Sequence, residues 1–261
     1  MALPFFSIDF RISEWSSFVT SLLGFFSRKS QEKKLIEILI KRFPKKKITL
    51  FPSARMAFYF VLKNTFKAED EVIFPVMGFP LYVKIALQLG LKPIYVDVED
   101  KHFTIDVEQL ENSITPNTKG IVITHLFGYP CNMDRIMEIA NKHNIPVIED
   151  CAQSYDSFYK GKETGTFGYV GIFSCSLMKV PTTLGGGILL TEDESLHNRI
   201  NSNLTKGRYN RNVTFRLKYF IKNIISILNS YPIIYSLLLH GVFGFIKKRN
   251  PNTPCLYKVP R

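Results

Sequence analysis

Several large enzyme classes are excluded by what the chain lacks. No GxGxxG pattern follows a strand and no GxxxxGK[ST] is present, so neither dinucleotide nor P-loop chemistry has support. Cysteine is scarce: Cys131, Cys151, Cys175 and Cys255 lie far apart, with no CxxC pair and no His/Cys cluster. That spacing offers no zinc site and no disulfide framework, and a reducing compartment is expected. The first residues show no basic stretch followed by a sustained apolar core and a small-residue cleavage site, so secretion is not expected and the cytoplasm is. Acidic residues are absent from one end. Residues 201–261 hold 11 Lys and Arg and no Asp or Glu, whereas residues 1–50 carry +6 and the middle −5, within a net charge of +12. The basic residues of that end flank an apolar run instead of forming a polar stripe, so nucleic acid is not an expected partner. No internal repeat is visible.

What is present fits a folded α/β protein. With 261 residues, 46% hydrophobic and 21% charged, there is material for one large domain or two small ones. Residues 12–26 and 32–42 place apolar side chains at helical spacing, with Leu35, Ile36, Leu39 and Ile40 on one face of the second. Two amphipathic helices are expected over 1–47, packed on the main domain or touching a membrane surface. From 48 to 204 short apolar strands alternate with helices: strands at 48–51, 72–75, 92–97, 120–125 and 147–149, helices at 56–64, 82–89, 107–112, 134–143 and 193–203. Nearly continuous β-branched runs with intervening helices predict a mainly parallel sheet covered by helices on both faces. Ligands of such sheets sit beyond the carboxyl ends of the strands, where Phe79, His125, Asp150 and Ser174 fall.

The stretch 147–191 carries the chemistry. An apolar strand ends in Asp150, and Phe173-Ser174-Cys175-Ser176-Leu177-Met178-Lys179 follows, then Gly185-Gly186-Gly187 and another apolar strand. Taken singly, Lys179 reads as a loop lysine and Asp150 as a turn residue. Taken together they are parts of a pyridoxal phosphate (PLP) site: a lysine for the Schiff base and proton shuttling, and a carboxylate that keeps the ring nitrogen protonated. A phosphate seat is available at Ser53-Ala54-Arg55, a turn that opens a helix and points its N–H groups at an anion. Ser53 equally fits a plain N-cap with no ligand. Ser174 would add to the phosphate seat, Phe79 would stack on the ring, and Gln153 is near enough in sequence to Asp150 to reach the phenolic oxygen.

These residues carry a family resemblance. The run from about 54 to 200 resembles the DegT/DnrJ/EryC1/StrS family of PLP-dependent sugar aminotransferases. It does so at 71–75, 92–98 and 114–120, at His125-Leu126-Phe127-Gly128-Tyr129-Pro130 with Met133-Asp134, at Val147-Ile148-Glu149-Asp150-Cys151-Ala152-Gln153, and at Phe173-Ser174 to Lys179 with the glycines beyond. The resemblance implies the type I aminotransferase fold and a homodimer with the active site at its interface. It also implies amino transfer from glutamate to a nucleotide-linked keto-sugar, in surface polysaccharide or amino-sugar synthesis. It assigns the Schiff base to Lys179, the ring nitrogen to Asp150, phosphate to Ser174 and stacking to Phe79. Related dehydratases carry histidine at the lysine position, so Lys179 counts against that activity.

Departures accompany the likeness. Ser53-Ala54-Arg55 stands where the family has Gly-Thr or Gly-Ser, and Val180 follows the lysine where Asn is common. Backbone N–H donors survive the first change. Where the family continues into a C-terminal domain that closes over substrate, residues 205–261 are a basic apolar tail, so that small domain is expected to be truncated or replaced. A non-catalytic scaffold that kept the fold is the alternative. Within the tail, 223–246 has no formal charge but is interrupted by Pro232, Gly241 and Gly244. It predicts two short apolar helices buried in a dimer or docked on the inner face of a membrane through 215–249.

Overall fold

Strands form where β-branched residues run together, and helices where apolar residues recur at three and four positions. The computed structural model describes residues 28–206 apart from 177, 178, 182 and 184. Helix α1 (Arg28–Arg42) is followed by β1 (Lys47–Phe51), α2 (Ala54–Thr65), β2 (Glu71–Pro75), α3 (Pro80–Gln88) and β3 (Lys92–Val96). The chain continues through α4 (Val107–Asn112), β4 (Thr118–Thr124), a 3-10 turn (Leu126–Gly128), α5 (Met133–His143) and β5 (Val147–Asp150). Strands β6 (Phe158–Tyr159) and β7 (Lys162–Glu163) form a hairpin before β8 (Val170–Ser174), β9 (Gly187–Thr191) and α6 (Glu194–Lys206).

Helix starts follow from local chemistry. Asp106 takes the N–H groups of Glu108 and Gln109 at the start of α4, and Asn132 takes that of Arg135 in α5. Asn144 ends α5 at φ 53°, a left-handed conformation that Asn tolerates better than most residues.

Seven strands form one sheet in the order β1-β9-β8-β5-β4-β2-β3. Strands β8, β5, β4, β2 and β3 are parallel, and β9 runs antiparallel to both its neighbours. Alternation along the strands sends side chains to two cores. On one face Val122, Ile148, Ile172 and Leu189 meet Phe58, Val61 and Leu62 of α2, Ala86 of α3, and Leu196 and Ile200 of α6. On the other, Ile121, Ile123 and Val147 meet Leu110 of α4 and Ile136, Ile139 and Ala140 of α5. Each such Val, Leu, Ile or Phe side chain contributes roughly 1.5–3 kcal/mol by leaving water. The mainly parallel sheet covered on both faces is as expected.

Two features differ from expectation. Helix α1 buries Leu39 and packs Leu35 beside it, with Phe43 just past its end, against Ile48, Phe173 and Leu190, but Ile40 is exposed. The row spaced by four residues, 35, 39 and 43, faces the sheet, and Ile40 lies about 100° further round the helix. The β6–β7 hairpin has no signal in the sequence, because two-residue strands carry no periodicity. Arg42 ties it to α1 by donating to Glu163 and Asp156. The expected helix at 12–26 and the segment 215–249 lie outside the described residues. Among those described, no helix is long and apolar enough to cross a membrane.

Candidate active site

Strand register brings the candidate residues to one end of the sheet. Thr124 pairs with Asp150, Asp150 with Ile172, Ser174 with Gly187, and Gly187 with Phe51. Asp150, Ser174 and the turn after Phe51 therefore line the same rim, with Phe79 just beyond β2. Alternation along β5 puts Asp150 on the face of Ile148 and Glu149 on the opposite one.

Asp150 is 3% exposed and accepts one N–H, from Ala152 at 3.1 Å. Burial strips water from the carboxylate and pushes its pKa up to about 6, with the Ala152 N–H and the Lys179 charge partly offsetting the rise. A buried carboxylate of this kind is completed by a cation. Tyr82 lies close by, stacked on Phe58 at 3.9 Å between centroids and edge-on to Phe79 at 5.4 Å. Burial, reinforced by Asp150, holds its hydroxyl well above the usual range, so it stays a neutral phenol. Sequence reading missed Tyr82; its one signal is an inward aromatic in the first turn after Phe79-Pro80. Phe79 is 44% exposed and borders a cleft of about 220 Å³ that Tyr82, Tyr95 and Thr124 also line.

At the start of α2 the Ser53 hydroxyl accepts the Met56 N–H at 3.3 Å. Ser53 is thus an N-cap, while Ala54 is buried and Arg55 exposed in the first turn, where N–H groups have no partner within the helix. Gly187 begins β9 against this turn: a Cβ there would sit 2.5 Å from the Ala54 nitrogen. Only glycine lets the strand approach so closely.

The Lys179 loop is closed at its base by backbone bonds. Thr183 and Gly185 donate to the Cys175 carbonyl at 3.0 and 3.1 Å, and Cys175 donates to Gly186 at 3.0 Å. Gly185 and Gly186 adopt φ near +150°, which L side chains rarely do. Lys179 is half-buried, with its N–H on the Ser176 carbonyl at 2.9 Å, and the Ser174 and Ser176 hydroxyls bond at 3.3 Å. Gln153 is exposed, and its Oε1 accepts the Phe127 N–H at 3.2 Å. That bond commits the oxygen and leaves the NH₂ end of Gln153 to donate.

A second, fully buried group joins His125, which the sequence places at the strand ends, to Glu149, whose role the sequence reading missed. Glu149 accepts His125 Nε2 and the Gly165 N–H on one oxygen, at 3.1 and 2.7 Å, and the Phe167 and Gly168 N–H groups on the other, at 2.8 and 2.6 Å. The Cys131 N–H donates to His125 Nδ1 at 3.1 Å, which places the ring proton on Nε2. Donor atoms of His125, Glu149 and Cys151 lie within 4.8 Å of one another. With four donors already on Glu149 and one on His125, they are committed to hydrogen bonds rather than set out as a metal's ligand set.

Comparison with known proteins places this arrangement. GDP-perosamine synthase of Escherichia coli O157:H7 is 42% identical over 130 residues, 50% of this chain and 36% of that protein. The structure of an aminotransferase from Psychrobacter cryohalolentis superposes with a TM-score of 0.69 at 32% identity, covering 76% of this chain and 51% of that one. An E. coli GDP-4-keto-6-deoxy-D-mannose-3-dehydratase with bound hydrated PLP gives a TM-score of 0.71 at 26% identity, covering 76% and 53%. The chain thus spans between a third and about half the length of these relatives. The DegT/DnrJ/EryC1/StrS aminotransferase family model matches residues 32–221. With that match, and with the lysine loop, the strand-end aspartate and the helix N-terminus on one rim of a mainly parallel sheet, the chain belongs to the DegT/DnrJ/EryC1/StrS aminotransferase family.

Proposed function

We propose that this chain holds pyridoxal 5'-phosphate at the Asp150 rim and transfers an amino group from glutamate to a nucleotide-linked keto-sugar, in surface polysaccharide or amino-sugar synthesis. The observation that carries the reading is Asp150 itself: a buried carboxylate with a raised pKa and Lys179 within electrostatic reach. The residues fit the cofactor group by group. A protonated pyridine nitrogen is the cation that Asp150 requires, and the α2 N-terminus suits a phosphate. Bound there, the cofactor would supply an electron sink for the substrate carbon.

The roles of the protein groups follow. Asp150 keeps the ring nitrogen positive. The amine of Lys179 holds the cofactor covalently and, when displaced by substrate, moves the proton at the substrate carbon. The N–H groups of Ala54 and Arg55, with the Ser174 hydroxyl, hold phosphate. Phe79 covers one ring face, and the Gln153 NH₂ donates to the phenolic oxygen. Support for the sugar substrate comes from the GDP-sugar names of the relatives. Val76, Met77, Phe79, Phe127 and Tyr129 leave apolar surface exposed in the segments that follow β2 and β4, which supports a homodimer joined there.

The test is direct. Full-length protein supplied with PLP, glutamate and a GDP- or UDP-linked keto-sugar is expected to yield amino-sugar and 2-oxoglutarate, with the activity eluting as a dimer. Folded, cofactor-loaded protein that makes neither product removes the transamination reading. The same reading places the protein in the cytoplasm with residues 215–249 touching the inner membrane face, motivated by their basic and apolar composition. Flotation with anionic liposomes is then expected, and equal flotation after deletion of 215–249 would exclude that contact.

A further inference from the structure

We propose that Glu149 and His125 are positioning residues of the cofactor site, a buried pair that holds the Asp150 end of β5 and the turn 151–153 in register with β4. This rests on the cofactor reading above. A carboxylate that is 0% exposed is tolerated only when its oxygens are hydrogen-bonded, and Glu149 has four N–H donors. Three of them come from the loop 165–168, which lies directly on the sheet. A Cβ at Gly171 would sit 2.2 Å from the Gly165 carbonyl oxygen, and one at Gly168 2.5 Å from that of Val147. Glu149, the residue that precedes Asp150, therefore clamps the backbone leading into β8 against the sheet.

His125 completes the link on the other side. Its main-chain N–H donates to the Asp150 carbonyl at 3.1 Å while its ring donates to Glu149. The turn after it hands the Phe127 N–H to Gln153, and Phe127 holds φ 52° there. Asp150, with one side-chain hydrogen bond of its own from Ala152, is held on the β8 side by the Cys151 N–H on the Ile172 carbonyl at 2.8 Å and on the β4 side by anchors that run through His125, Glu149 and this turn. Fully satisfied buried networks hold one geometry, and a reacting group needs its position kept to about 0.5 Å.

Two substitutions separate the bonds of His125. Asn at this position reaches only as far as Nδ1, so it can take the Cys131 N–H but cannot reach Glu149. Gln reaches as far as Nε2 and can donate to Glu149. In the full-length protein, His125→Asn is expected to weaken PLP binding on the order of tenfold and to move the pH at which the bound cofactor's visible spectrum changes. His125→Gln is expected to stay near wild type in both.

Wild-type affinity and spectrum in His125→Asn would overturn the proposal. So would equal losses of affinity in both variants, since disturbed packing alone would explain that. Should His125→Asn fail to fold, amide exchange in the wild type decides. PLP is expected to slow exchange at Gly165, Phe167 and Gly168, which lie on the sheet face opposite Asp150, and unchanged exchange there would overturn the proposal. A wild type with no Lys179-dependent PLP spectrum would instead defeat the cofactor reading.

Discussion

Replacing Asp150 with Asn is expected to stabilise the cofactor-free protein at pH 8 while cutting amino transfer by about 10²–10³-fold. The two effects share a cause. Burial raises the Asp150 pKa from 3.8 to about 6, so the folded state binds this proton more tightly than the unfolded one. Stability therefore falls as pH rises from 3.8 to 6, and above that range the loss is complete. At about 1.4 kcal/mol per pKa unit the rise amounts to roughly 3 kcal/mol. Asn is nearly isosteric with the protonated acid and removes that loss. Urea midpoints should show the variant ahead at pH 8 and level with wild type near pH 4. PLP should stabilise the wild type more than the variant, because a positive ring nitrogen restores a partner to the charge. A variant less stable than wild type at pH 8 would show that Asp150 is satisfied without a cofactor.

Lys179→Ala is the second large effect. Removing the amine deletes both the covalent anchor and the group that moves the proton at the substrate carbon. Loss of such a positioned acid–base group lowers rates by about 10²–10⁴-fold. Small primary amines added to the variant are expected to restore part of the rate, since they replace the base but not its tether. Lys160, a surface lysine bonded to Asp134, is the control, and Lys160→Ala should leave turnover unchanged. A Lys179→Ala variant with wild-type turnover would place the base elsewhere.

The strands were legible because Val72-Ile73-Phe74, Ile121-Val122-Ile123 and Val147-Ile148 are apolar runs separated by helical spacing. Once a mainly parallel sheet is inferred, Phe79, His125, Asp150 and Ser174 must fall at its carboxyl end. Neighbour relations were less visible. That β9 lies antiparallel between β1 and β8 depends on long-range pairing, which no local pattern encodes. Three of the four partners of Glu149 are backbone N–H groups 16 to 19 residues further on, and a backbone donor leaves no mark in residue type. One signal was present: adjacent carboxylates on a buried strand point to opposite faces, so each needs its own partners. The Ser53 turn, consistent with a cap or an anion seat, resolved into a side chain that caps Met56 and first-turn N–H groups that remain suited to phosphate.

Borohydride reduction of the PLP-loaded, full-length protein, followed by peptide mapping, tests the central claim most directly, because reduction makes the lysine–cofactor bond permanent. The expected result is the mass of the reduced cofactor on the peptide that carries Lys179, and on no peptide of the Lys179→Ala variant. The cofactor mass on a different lysine, or on none while the protein remains folded, would contradict the assignment of Lys179 as the anchor above Asp150.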